Sequence, residues 1–190
     1  MNRICSLLLL TGFLTVRVFA QQVYSFDGFP FGTSRSIIEA KHHSNVVKGV
    51  SSSRLIEFND QRYSVYEYIG EFGGFLPTPS SVKYFYDFED RLIAGEFIWH
   101  KRTEWSIEDM RFLTGRIEKL MMGKYGVPLK IPESDPTYVK YGYRLYWGLG
   151  DVGSIVLTED KLGWIRLEYT HSEMADKHSR DYQSRHQNDF

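Results

Sequence analysis

The stretch that decides the fold is SVKYFYDFEDRLIAGEFIWH, residues 81–100. It contains two runs, 81–88 and 91–100, that are rich in aromatic and β-branched side chains, the residue types that favour strands. Glu89 and Asp90 separate the runs, and a short acidic pair of this kind is typical of a turn. The stretch therefore predicts an antiparallel hairpin.

Further strand-like runs lie on both sides of this hairpin. They show the same enrichment, and in the last of them Ile165, Leu167 and Tyr169 alternate with Arg166 and Glu168, which is typical of a half-buried strand. The links between neighbouring runs are mostly too short for parallel crossovers, so antiparallel pairing is expected. These runs cover residues 54–58, 62–70, 143–148, 154–159 and 164–170.

Two segments have the pattern of helices. The first begins at Thr33 or Ser34, whose hydroxyl can accept a free amide of the first turn, and ends near His43 or Ser44. The second begins after Ser106, and Asp109 completes a plausible capping box. Its apolar residues recur at spacings of three or four, as expected for one buried helix face: Ile107, Met110, Leu113, Ile117, Leu120 and Met121.

Together these elements predict an α+β fold. We expect one domain over residues 21–170, with an antiparallel sheet of about six or seven strands and two helices packed on one of its faces. The order of helix, four strands, helix, three strands suggests two similar halves. No repeated sequence accompanies that order.

The two ends of the chain differ from this domain. Residues 1–20 resemble a signal peptide, with Arg3 ahead of an apolar run and small residues at the cleavage positions before Gln21. We expect export to the periplasm or the medium after cleavage near Ala20, with an uncleaved anchor as the alternative because Arg17 follows the apolar run. Residues 171–190 have almost no apolar side chains and are expected to form a flexible polar tail.

Composition argues against several classes of protein. The formal net charge is −1 and the basic residues are scattered, whereas a nucleic-acid-binding protein usually shows a concentrated basic patch. No segment after residue 20 is long and apolar enough to predict stable membrane insertion. The single cysteine, Cys5, lies in the predicted signal peptide, so the mature domain would depend on its core rather than on disulfides.

The sequence contains no motif that identifies a catalytic, cofactor or metal site. GLGDVG at 148–153 has the spacing of a dinucleotide loop, but a strand-like run follows it where that motif needs a helix. The histidines lack the spacing of zinc ligands, and no nucleophile motif is present. A hydrolase site assembled from dispersed residues remains the alternative, with His42, His100 and Glu104 as the places to look for a polar cluster.

Aromatic side chains are the best indication of a binding surface. They make up 16% of the chain and crowd into the predicted strands. We expect most of them in the core, but rings on a sheet face without helix cover would bind a peptide, glycan or protein. The residues proposed for this surface are Tyr66, Tyr68, Tyr84, Tyr86, Trp99, Trp147 and Trp164.

Four short motifs resemble a group of small exported bacterial proteins. The first is Phe31-Gly32-Thr33-Ser34 at the start of the first helix. The hairpin at 84–99, the helix end IEKLMMGKYGVP at 117–128 and the strand pair at 146–157 follow in the expected order. The group is similar in architecture to the outer-membrane assembly lipoprotein SmpA/OmlA and to β-lactamase-inhibitor-like folds.

The resemblance implies helices packed on an antiparallel sheet and a role in binding or envelope assembly. It supplies no functional residues, and the sequence lacks the lipobox of the lipoprotein members. We therefore expect a noncatalytic exported domain that binds a protein, peptide or cell-envelope component, without a cofactor.

Overall fold

A computed structural model describes residues 24–45, 50–58, 61–69, 79–100, 105–132 and 142–186. The predicted signal peptide lies outside these residues. The elements, in chain order, are β1 Ser25–Phe26, β2 Phe29–Pro30, α1 Arg35–Asn45, β3 Val50–Phe58, β4 Gln61–Ile69, β5 Ser81–Tyr86, β6 Leu92–Trp99, α2 Ile107–Tyr125, β7 Leu129–Lys130, β8 Tyr143–Gly148, β9 Gly153–Glu159, β10 Ile165–His171 and α3 Ser172–His186.

Eight strands form one sheet in the order β3-β4-β5-β6-β10-β9-β8-β7, and each neighbouring pair is antiparallel. The predicted α+β class and antiparallel sheet are therefore confirmed, and each of the seven predicted strands is present. Among the described residues this sheet has eight strands rather than six or seven, because Leu129–Lys130 adds a two-residue edge strand. A segment this short leaves no periodic pattern in the sequence.

The sheet order has an internal symmetry. Strands β3 to β6 follow α1, strands β7 to β10 follow α2, and each set of four runs from one edge of the sheet to its centre. The last strands of the two sets, β6 and β10, pair antiparallel with Glu96 opposite Glu168. The two halves suggested by the order of elements are therefore present as two equivalent units in one sheet.

The turns of the two central hairpins have the same hydrogen bonds. In the first, Asp87 Oδ1 accepts the amides of Glu89 and Arg91, both at 2.9 Å. In the second, Asp160 Oδ1 accepts the amides of Leu162 and Trp164 at 2.8 and 3.0 Å. An aspartate that bonds to the backbone two and four residues later stabilises each turn, so the two units share local geometry despite their different sequences.

One face of the sheet carries the core. Cross-strand neighbours on this core face include Tyr84, Gly95, Tyr169, Ile155 and Trp147. The adjacent row on the same face consists of buried apolar residues: Val82, Phe97, Leu167, Leu157 and Leu145. Because successive side chains alternate between the faces, this arrangement sends the intervening polar residues to the opposite side.

Both predicted helices contact residues of the core face. His42 of α1 lies 2.6 Å from the Tyr84 hydroxyl through its Nε2. At the end of α2, the Gly126 carbonyl accepts the indole N–H of Trp147 at 2.9 Å, and the Tyr169 hydroxyl is 3.5 Å from Met121 Sδ. These contacts join both helices to core side chains of the sheet.

A small hairpin, β1–β2, was not predicted. Its turn is Asp27-Gly28, with φ of +50° and +79°, the left-handed pair that an Asp-Gly turn favours. Phe26 places its ring 4.6 Å from that of Phe97 and 5.4 Å from that of Tyr84. The sequence signal for this hairpin is the Asp-Gly pair between aromatic residues.

Helix α3 occupies Ser172–His186, where composition predicted a flexible tail. His178 on this helix is buried and stacks on Phe88 with ring centroids 4.6 Å apart. Lys177 also pairs with Glu89 at 3.0 Å. The structure therefore has a helix where a flexible tail was predicted. Its contacts come from a histidine and a charge pair, which a count of apolar residues does not include.

The capping box at the start of α2 is confirmed, and it gives a first testable prediction. Ser106 Oγ accepts the Asp109 amide at 3.1 Å, and Asp109 Oδ2 accepts the Ser106 amide at 2.8 Å. Ser106→Ala should lower the free energy of unfolding by about 1 kcal/mol. Urea unfolding measures this, with the exposed Lys119→Ala on the same helix as the control.

The same substitution should change the titration of Asp109. The backbone amide of Ser106, and then its hydroxyl, hold the pKa of the Asp109 carboxyl below its usual value. Loss of the hydroxyl should move that pKa upward, as followed by NMR. Equal stability and unchanged titration in Ser106→Ala would show that the capping box contributes nothing.

Candidate functional site

The structure separates the aromatic residues that were proposed as a binding surface. Tyr84, Tyr86, Trp99 and Trp147 are at most 2% exposed and belong to the core. They cannot form an exposed surface here, because their side chains are buried in the hydrophobic core. Trp164 is 37% exposed. The side chains of Tyr66 and Tyr68 lie outside the described residues.

The opposite side of the sheet carries a row of charges. Glu67, Lys83, Glu96 and Glu168 are successive cross-strand neighbours on strands β4, β5, β6 and β10. We call these four residues the charged row. Arg166 lies on the same face, one row away, opposite Ile98. We call this side of the sheet the polar face.

The charges of the row are unequally paired. Glu96 lies 3.5 Å from Lys83 Nζ and 3.8 Å from Arg166 Nε. Glu168 forms no salt bridge with any residue in the described ranges, although it stands directly opposite Glu96. Like charges in directly opposite positions destabilise a sheet. Within the described residues, Glu96 therefore has two cations nearby, whereas Glu168 has no cation in contact.

Burial changes the acidity of both central carboxyls. It raises the pKa of Glu96, against the attraction of Lys83 and then Arg166. Burial, and then repulsion from Glu96, raise the pKa of Glu168 to about 7, while Arg166, Arg144 and Lys83 act in the opposite direction. Removing a carboxylate from water favours its neutral form. Glu168 is thus partly protonated near neutral pH.

Trp164 and His100 border this row. Their ring centroids are 4.5 Å apart, and the guanidinium of Arg166 lies 5.7 Å from the centre of the Trp164 ring. Burial, followed by the charge of Lys83, lowers the pKa of His100. The imidazole is therefore neutral at pH 7 and offers a ring surface rather than a charge.

His42, the other histidine singled out in the sequence, has a different setting. Its Nε2 is 2.6 Å from the Tyr84 hydroxyl, which donates to Asp27 Oδ2 at 2.6 Å. His42 is buried, so this network joins α1, the sheet and the β1–β2 turn inside the protein. Glu104, the third residue considered for a polar cluster, lies outside the described residues.

Alternation along the strands was the sequence signal for the charged row. This alternation places Arg166 and Glu168 at the polar positions of a half-buried strand, but it does not link them to Lys83 and Glu96. That link depends on the pairing of β6 with β10, strands separated by about seventy residues in the chain. Across the described ranges, no group of three or more metal-binding side chains converges.

Comparisons with known proteins give no further assignment. No family model, curated protein or solved structure matches the chain. The resemblance to SmpA/OmlA-like and inhibitor-like proteins therefore stays a prediction. Within the described residues, no helix has the length and apolar character needed to cross a membrane.

Proposed function

We propose that this protein is an exported, noncatalytic domain that binds a protein partner through the polar face of its sheet. The partner would present a basic side chain to Glu168, since this carboxyl has no salt bridge with a described residue and lies against a second carboxylate. A lysine or arginine placed there would favour the ionised form of Glu168. The observation that carries this proposal is that Glu168 forms no salt bridge with any described residue while it stands opposite Glu96.

Aromatic side chains beside the charged row support a protein partner. The row continues from Glu168 through Val156 to Tyr146 and Leu129. Tyr146 is 38% exposed and Leu129 is 65% exposed. Tyrosine, tryptophan and arginine contribute most often to the centres of protein interfaces. Trp164 and Arg166 would supply such contacts on the other side of Glu168.

In this proposal both α1 and α2 pack on the core face, and the partner binds the part of the polar face beside Glu168, because the centre of that face around Glu96 and Ile98 is already buried. The contacts of His42 with Tyr84 and of Met121 with Tyr169 support that arrangement, because Tyr84 and Tyr169 share a face of the sheet. The proposed surface is therefore charged with an aromatic border, and it replaces the wholly aromatic surface expected from the sequence.

A hydrolase is the second candidate, and one observation favours it. A carboxyl with a pKa of about 7, such as Glu168, has the acidity of a general acid. We prefer binding because Lys83 and Arg166 both contact the neighbouring Glu96, which would otherwise be the complementary base or nucleophile. Hydrolysis of a panel of esters and peptides, abolished by Glu168→Gln, would reverse this preference.

Zero-length carbodiimide crosslinking in the native envelope tests the binding proposal. The reagent joins carboxylates to lysine amines in direct contact, so a partner lysine at the polar face should be recovered in a peptide that contains Glu168. Glu168→Gln should lose that crosslink, whereas Glu173→Gln, an exposed residue on α3, should keep it. An identical crosslink pattern in both variants would refute the proposed surface.

The same material tests export. Mass measurement of the recovered protein should give a mature N-terminus at Gln21, after cleavage following Ala20. A mass that includes residues 1–20 would support the uncleaved anchor instead.

A further inference from the structure

A second charged region lies away from the polar face, in an open cleft between α2 and the turn that joins β9 to β10. Its volume is about 420 Å³, within the range of small-ligand sites. The side chains that line it include Arg111, Glu118, Tyr143, Asp160 and Lys161.

Close packing forms the base of this cleft. Gly142 has φ of +79°, and a Cβ at this position would lie 2.3 Å from the Glu159 carbonyl oxygen. Thr114 is buried, and its hydroxyl donates to Glu159 Oε2 at 2.5 Å. Gly115 also lines the cleft, and a Cβ there would meet no atom within 4 Å. The base is therefore fixed while the space beside α2 stays open.

The charges along the cleft are separated rather than paired. Neither Arg111 nor Lys161 forms a salt bridge with another residue of the described ranges. Glu118 accepts the Tyr143 hydroxyl at 3.3 Å, and Asp160 Oδ1 accepts two backbone amides of its turn. The carboxylates thus have internal donors, whereas neither cation has an anion in contact among the residues that the structure describes.

The distance between the charged positions suggests the size of a ligand. Arg111 and Glu118 lie seven residues apart on the same side of α2, which places their backbone positions about 10 Å apart along the helix. Both side chains can extend along the helix, so their charged groups can lie closer together than their backbone positions. The charged ends of an extended dipeptide are separated by about 7 Å, since each residue spans about 3.5 Å.

We propose that this cleft binds a short peptide of about two residues by its free termini, with the carboxylate at Arg111 and Lys161 and the ammonium group at Glu118. Both ends would form charge-assisted hydrogen bonds, which are stronger than neutral ones. A single amino acid, which spans about 3.5 Å, is expected to reach only one of the two ends. This site is separate from the polar face and does not depend on the function proposed there.

NMR titration of the full protein with alanylalanine tests the proposal. The dipeptide should shift the amide signals of Gly115 and Gly142 in a saturable way at concentrations below about 10 mM. N-acetylalanylalanine, alanylalanine amide and alanine should each bind about tenfold more weakly or not at all, because each lacks one of the two contacts.

Variants show whether the named charges are responsible. Arg111→Gln and Glu118→Gln should each weaken alanylalanine binding about tenfold, whereas Lys119→Gln, an exposed residue of the same helix, should leave it unchanged. Equal binding of the blocked peptides, equal binding by all three variants, or no shift at any concentration would each overturn the proposal.

Discussion

Gly95→Val should lower the free energy of unfolding by about 3 kcal/mol or more. Gly95 lies on the core face between Tyr84 and Tyr169, and the ring of Phe26 covers it. A Cβ at this position would lie 2.1 Å from Phe26 Cδ1, far inside van der Waals contact. The added side chain must therefore displace the β1–β2 hairpin from the sheet.

A double-mutant cycle identifies the cause of this loss. Phe26→Ala alone should cost about 3 to 5 kcal/mol, because it removes a fully buried ring. Gly95→Val added to Phe26→Ala should cost much less than it does in the original protein, with a coupling energy of about 1 to 3 kcal/mol. Gly123→Ala is the control for adding a side chain without a steric clash, because a Cβ at this position would meet no atom within 4 Å. Additive losses in urea unfolding would show that the ring and the glycine do not interact.

Glu168→Gln is expected to stabilise the protein above neutral pH. The folded-state pKa of Glu168 is about 7, against an ordinary value of 4.5. Folding therefore favours its protonated form, so the stabilising contribution of this proton is complete below pH 4.5 and is lost as the pH rises through 7. At pH 8, the variant should be more stable than the original protein by on the order of 2 to 3 kcal/mol.

Urea unfolding between pH 4.5 and pH 8 measures this difference. The two proteins should be about equally stable at the acid end, and their curves should separate as the pH approaches 8. Glu173→Gln, on the exposed surface of α3, should follow the original protein throughout. A constant difference between the Glu168→Gln protein and the original across this range would mean that Glu168 titrates normally.

Several features that neighbouring residues decide could be predicted from the sequence. The runs 81–88 and 91–100 predicted strands β5 and β6, and Ser106 with Asp109 predicted the start of α2. These features depend on strand propensity, turn residues and hydrogen bonds over a few positions. The same reasoning missed α3, whose anchor is the stacking of His178 on a ring in the β5–β6 turn.

The candidate site was harder to predict from the sequence than the fold was. Tyr84 and Trp99 were proposed for a binding surface, but they belong to the core. Alternation shows that a strand has two faces, and it does not show which face the helices cover. Glu96 and Glu168 were ordinary polar positions until the pairing of β6 with β10 brought them face to face.

The amino-acid sequence by itself determined the α+β fold class and the positions of the main strands and of helices α1 and α2. These features follow from periodicity and from contacts between near neighbours. Only the tertiary structure decided that two units join at β6 and β10, which face is buried, and which carboxylates meet. Those outcomes depend on register between strands distant in the chain, where a shift of one residue would exchange the two faces.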